Sequence, residues 1–241
     1  MAKRAARRAK LHAIDSARIH NLVFDHTPAN DRDQSYIRKI RPRSDNQRIL
    51  MEAIDSKPLT VALGPAGTGK TYLAISAAVE ALEAGTVSRI MLSRPAVEAD
   101  ENLGFLPGDM REKLDPYLRP LWDALNDRLG AKRLRQNLDD GTIEIAPVAF
   151  MRGRTLNNAF VLIDEAQNCT YGQLKMLLTR LGWHSTMVIT GDPAQSDLLP
   201  EMSGLGPVAD KLESVSNIAV VRLKDVDIVR HPLVAEMLGV L

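Results

Sequence analysis

Cysteine occurs once in the 241 residues, at Cys169. No internal disulfide can form, and a cysteine-rich metal site is excluded. A small buried thiol is the expected role of that side chain. Long apolar runs are also missing. None approaches the roughly 18 residues needed to cross a bilayer, so no membrane association is expected. The start, Ala2-Lys3-Arg4-Ala5-Ala6-Arg7-Arg8, is basic but has no apolar signal core behind it. Organelle transit peptides share its Arg-rich character, yet the default expectation is a cytoplasmic protein. No internal repeat is visible. The length suits one substantial α/β domain with an appendage and is too short for two such domains with their insertions.

Charge is nearly balanced overall, at +1, but unevenly placed. Residues 1–48 hold twelve Lys and Arg against five Asp and Glu, net +7, which leaves the remainder at −6. The basic end suits a polyanion such as nucleic acid, and equally suits a solvated tail. Residues 1–43 read as a basic extension. Ser44 is a plausible N-cap for a helix through Ile49-Leu50 and Ala53-Ile54, which opens a core domain over 44–241.

From Leu59 onward, short apolar runs alternate with helical segments. Strands are expected at Leu59–Leu63, Ile90–Ser93, Ile143–Ala146, Phe160–Ile163, Met187–Thr190 and Ile218–Arg222. Helices are expected over 70–83, 109–129, 131–138, 171–181, 205–213 and 227–238. Strands apolar on both faces belong to a mainly parallel sheet covered by helices on both sides. Such a doubly wound α/β domain binds its ligand at the carboxyl ends of its strands.

The chemistry starts at Gly64-Pro65-Ala66-Gly67-Thr68-Gly69-Lys70-Thr71, a G-x-x-x-x-G-K-T phosphate loop between an expected strand and an expected helix. Its glycines let backbone N–H groups wrap a triphosphate, and the helix amino terminus adds its positive dipole end. Lys70 would reach the β- and γ-phosphates, and the Thr71 hydroxyl would ligate Mg²⁺. Phe160-Val161-Leu162-Ile163-Asp164-Glu165 supplies the complementary half, an apolar strand ending in two carboxylates. Asp164 would hold Mg²⁺ through water, and Glu165 would orient and deprotonate the attacking water. A further strand ends in Gly191-Asp192-Pro193-Ala194-Gln195. Gln195 suits a γ-phosphate sensor, although Gly-Asp-Pro alone is equally a plain turn. Gln47, on the first helix, presents a donor and an acceptor that match the adenine edge, and as well fits an ordinary surface glutamine.

Taken together, these residues resemble the PhoH family of P-loop ATPases, which share motifs with superfamily 1 helicases. The resemblance covers roughly residues 44 to 235. Its most specific passages are Ser93-Arg94-Pro95-Ala96-Val97-Glu98, Leu103-Gly104-Phe105-Leu106-Pro107-Gly108-Asp109, Asp115-Pro116-Tyr117-Leu118-Arg119-Pro120 and Ala149-Phe150-Met151-Arg152-Gly153-Arg154-Thr155-Leu156. It implies a RecA-like core, hydrolysis of ATP with Mg²⁺, adenine contact by Gln47, and a link to phosphate starvation or RNA metabolism. Arg94, at a strand end, falls where RecA-like helicases meet the nucleic-acid backbone. Of Arg152 and Arg154, one would brace a loop and the other touch a phosphate, or both would simply form ion pairs.

The leading expectation is therefore an ATPase that couples hydrolysis to binding or remodelling of single-stranded RNA or DNA, with helicase-like action as an extension. The alternative is a nucleotide-gated protein-interaction module without helicase activity. Helicases normally cleave ATP between two RecA-like domains, and one is expected here. A homo-oligomer follows, such as a hexameric ring, with Arg230 as the arginine inserted into a neighbouring site.

Overall fold

The computed structural model describes residues 40–95, 110–199 and 201–229. Ser44 caps α1 (Asp45–Ser56), its hydroxyl accepting from the Gln47 N–H at 3.2 Å. The chain then runs β1 (Leu59–Leu63), α2 (Lys70–Glu83), β2 (Arg89–Ser93), α3 (Met110–Leu129), α4 (Ala131–Asp139) and β3 (Ile143–Ile145). It continues through β4 (Ala159–Ile163), α5 (Tyr171–Leu178), β5 (Thr186–Gly191), α6 (Leu205–Leu212) and β6 (Ile218–Arg222).

Six strands form one sheet in the order β3-β2-β4-β5-β1-β6, and every pairing is parallel. Side chains alternate across it with a period of two. Ala62, Ile90, Leu92, Phe160, Leu162 and Val188 face the core made with α1 to α4, where Leu50, Ile75, Leu121 and Leu125 are buried. Leu59, Val61, Met91, Val161, Ile163 and Ile189 face the second core, closed by Leu174 and Leu177 of α5 and Leu205 and Val208 of α6. Burying each such large apolar side chain stabilises the fold by about 1.5–3 kcal/mol. The expected arrangement, a parallel sheet covered by helices on both faces in a RecA-like fold, is what forms. No helix among the described residues is long and apolar enough to cross a membrane.

Two helix expectations need correction. The segment expected over 171–181 stops at Leu178, where Thr179 turns back to donate to the Met176 carbonyl. No helix begins at Asp227. That residue closes a short 3₁₀ turn from Asp225, and Ile228 is extended. The rest of that expected helix lies outside the described residues, as do Leu103–Asp109 and the 1–39 part of the basic extension.

Candidate nucleotide site

Leaving β1, the chain enters the glycine-rich loop in a conformation that only glycine adopts at ease. Gly64 has φ +143°, and a methyl group there would stand 2.5 Å from the Leu223 carbonyl oxygen. Gly67 and Gly69 also have positive φ, and the wrap ends at Lys70, the first residue of α2. No side chain caps that helix start, which leaves its first N–H groups available to an anion. Inside the loop, Thr68 is buried and donates its hydroxyl to the Pro65 carbonyl at 2.9 Å. The Lys70 ammonium donates to the carbonyls of Gly64 at 2.5 Å and Pro65 at 2.8 Å. Burial pulls that ammonium below its ordinary pKa, against the opposing fields of Asp192, Glu165 and Asp164.

The acidic half is assembled across strands. Parallel register sets Ile163 level with Ser93 on one side and Ile189 on the other, so the next residues, Arg94, Asp164 and Thr190, lie abreast. Asp164 is 2% exposed. Its Oδ1 accepts from the Thr71 and Thr190 hydroxyls, each at 2.6 Å. Thr71 is thus joined across the sheet to the carboxylate expected to share a cation with it. Neighbouring Glu165 holds the left-handed conformation, φ 53° and ψ 41°, which costs a non-glycine residue about 1–3 kcal/mol. Arg94 Nη2 lies 3.4 Å from Glu165 Oε1, and Nη1 lies 4.0 Å from Asp164 Oδ2. Gln167 is buried and donates Nε2 to Glu165 Oε2 at 2.5 Å, while its Oε1 accepts from the Asp192 N–H at 3.1 Å. Gly191 makes this approach feasible, since a methyl group there would meet Gln167 Oε1 at 2.7 Å and Leu205 Cδ2 at 2.5 Å.

Other expected residues are placed differently from one another. Gln47 is buried rather than at the surface. It donates Nε2 to the Thr68 carbonyl at 3.0 Å and accepts from the Arg43 N–H at 2.7 Å, so its amide braces the loop. Gln195 ends an exposed 3₁₀ turn after β5 and makes no hydrogen bond to the acidic pair among the described residues. Arg154 grips Glu144 with both ends of its guanidinium, at 2.6 and 2.8 Å, which makes it the bracing arginine of its pair. Arg152 is exposed. Arg230 lies outside the described residues. Thr190 and Gln167 had no role assigned from sequence. Thr190 ends an expected strand, and strand order alone brings it to Asp164, whereas Gln167 reaches Glu165 from two residues further along the same turn.

The segment after β6 closes the loop's outer side. Leu223 donates its N–H to the Leu63 carbonyl at 2.8 Å, and Val229 donates to that of Gly67 at 3.0 Å. Asp227, buried, pins this segment by accepting from Asn46 Nδ2 at 2.8 Å and the Lys224 N–H at 2.7 Å. Burial alone would raise its carboxyl, yet hydrogen bonds from Ser44, Lys224 and Asn46 hold it below the ordinary carboxylate value.

A magnesium ion fits this donor set. No group of three or more His, Cys, Asp or Glu occurs among the described residues, so a dedicated protein cage is absent there. One buried carboxylate joined to a threonine hydroxyl is what suits a cation that keeps most of its waters and takes substrate phosphates.

A family model described as PhoH-like protein matches residues 39–241. A PhoH-like protein of Bacillus subtilis (strain 168) is 52% identical over 202 residues, covering 83% of this chain and 63% of that protein. Protein PhoH of Escherichia coli (strain K12) is 45% identical over 205 residues, 84% of this chain and 58% of that protein. The chain thus spans less than two thirds of the curated relatives it matches here. Among solved structures, the large terminase of a thermophilic bacteriophage superposes with a TM-score of 0.53 at 12% identity, over 83% of this chain and 50% of that one. That likeness is one of fold.

Proposed function

The chain belongs to the PhoH-like protein family, and from that premise we propose that it is a Mg²⁺-dependent ATPase that couples hydrolysis to binding or remodelling of single-stranded nucleic acid, above all RNA. The observation that carries the reading is the junction of Thr71, Thr190 and Asp164 beside the phosphate loop, with Glu165 next in sequence. Lys70 would exchange its two loop carbonyls for β- and γ-phosphate oxygens, and the start of α2 would receive the remaining charge. Thr71 and Asp164 would hold the cation, which when bound neutralises developing charge on the phosphates. Glu165 would take the proton of a water whose oxygen attacks the γ-phosphorus. The bond from that phosphorus to the bridging oxygen breaks, and ADP and phosphate leave.

Around this centre we assign Gln195 to sensing the γ-phosphate and Gln47 to bracing the loop and contacting adenine with its remaining hydrogen-bonding capacity. In this reading the basic residues 1–43 are an extension to the 44–241 core, and their charge suits a polyanionic backbone. The described residues hold one nucleotide half-site, which supports a homo-oligomer, ring-like, in which Arg230 reaches a neighbouring site. The same reading places the protein in the cytoplasm.

The test is a nucleotide-binding and turnover assay on two variants. Lys70→Ala should lose ATP binding. Glu165→Gln should bind Mg²⁺-ATP normally while turnover falls by about 10²–10⁴. Normal turnover in Glu165→Gln would remove the water-activating role.

A further inference from the structure

Glu165 is the group on which the proposed hydrolysis turns, and both of its carboxylate oxygens face protein donors. Arg94 occupies Oε1 from the end of β2, and Gln167 occupies Oε2 from the turn after β4. Two neighbouring carboxylates, Asp164 and Glu165, repel each other, and the guanidinium beside both relieves that repulsion. The Arg94 side chain is 19% exposed, so the contact is shielded yet open to solvent on one side. A general base must turn a lone pair to the water it deprotonates. A carboxylate held at both oxygens, one by a cation, offers that water only the competition of an ion pair already made.

We propose that Arg94 is a brake on hydrolysis. With Gln167 it forms a two-point clasp that keeps Glu165 from the attacking water. The clasp opens when a phosphate oxyanion draws the guanidinium away. Arginine can exchange a carboxylate for such an oxyanion because its planar fork matches both. A phosphodiester of bound single-stranded nucleic acid is the source assigned to it, since Arg94 stands at a strand's carboxyl end with part of its side chain open to solvent. The γ-phosphate of the nucleotide offers the same chemistry but accompanies every turnover, so it would leave no difference between free and nucleic-acid-bound protein. Gln167 links the same clasp to the start of the Gln195 turn through the Asp192 N–H, so motion at either strand end reaches Glu165. The inference rests on Glu165 being the base of an ATPase.

The experiment measures kcat and KM for ATP with and without poly(U), on wild type, Arg94→Gln, Arg94→Lys and Gln167→Leu, with thermal melting of each. Arg94→Gln should raise kcat without poly(U) about two- to fivefold, the range expected when one ion pair is released. Its KM should stay near that of wild type, and poly(U) should add little further. Arg94→Lys, which keeps the charge, should restore most of the braking. Gln167→Leu opens the other oxygen and should raise basal turnover by a smaller factor. Unchanged or lower basal kcat in a folded Arg94→Gln protein overturns the brake. A raised kcat that poly(U) still stimulates to the wild-type ratio overturns the nucleic-acid source, and so does a wild type that poly(U) leaves unstimulated. Loss of wild-type ATPase activity in Glu165→Gln checks the underlying reading separately.

Discussion

From Gly64 to Lys70 the loop's side chains bond to the loop itself. Thr68 reaches three residues back to Pro65, and Lys70 reaches five and six back to Pro65 and Gly64. The acidic pair, 93 residues further on from Thr71, is held otherwise. Asp164 takes hydroxyls from α2 and β5, Glu165 takes donors from β2 and the turn after β4, and the two share Arg94. One half of the site is a local device that short-range sterics shape; the other exists only when four strands stand in one order. The difference teaches where each half can be controlled. A loop that closes on itself binds in the same way wherever it is carried, whereas a clasp with parts on several strands can be opened from a distance.

A pair of threonine substitutions breaks or sharpens this contrast most strongly. Thr190→Val removes a hydroxyl that a buried carboxylate accepts, and should cost about 1.5–3 kcal/mol of unfolding free energy in urea titrations. Thr68→Val removes a neutral bond inside the loop and should cost about 0.5–1.5 kcal/mol. Equal costs would mean that the two halves are held alike.

The loop is also braced from outside, by Gln47 and by the segment pinned by Asp227, and the second brace gives a smaller effect with a definite sign. Because the folded carboxyl lies below its ordinary value, it contributes stability that is present above about pH 3.9 and lost as pH falls through the folded value. The melting-temperature gap between wild type and Asp227→Asn should therefore be full near about pH 7 and shrink toward about pH 3. A gap that does not change with pH would show that Asp227 acts through packing alone.

The smallest effect is expected at Cys169. It is fully buried beside the acidic half, and burial pushes its thiol up to about 12. Iodoacetamide should leave it unmodified at neutral pH until the protein unfolds. Rapid labelling of the folded protein would mean that this half opens to solvent.

Much of this was legible in the residues. Alternation of short apolar runs with helical segments sufficed for the parallel sheet, because strands buried on both faces lack the polar alternation of an exposed sheet. The capping hydroxyl of Ser44 and the buried thiol of Cys169 follow from side-chain chemistry alone. The end of α5 and the 3₁₀ turn at Asp225–Asp227 were not legible. Each depends on backbone hydrogen bonds that helix-forming composition does not reveal. Arg94 is the sharpest case. As sequence it is a cation at a strand end, suited to a nucleic-acid backbone, yet its guanidinium lies against Asp164 and Glu165.

By itself the sequence determined the phosphate loop, its lysine and its threonine, because eight adjacent residues contain both the glycines that permit the wrap and the groups that bind. It also placed two carboxylates at a strand end. Only the tertiary structure decided what those carboxylates touch. Strand β5 runs between β1 and β4, and β2 flanks β4 on its other side, so register brings Arg94, Asp164 and Thr190 abreast across 70 and 26 residues of chain. No local propensity carries that adjacency, since it is a property of the order in which the strands pair.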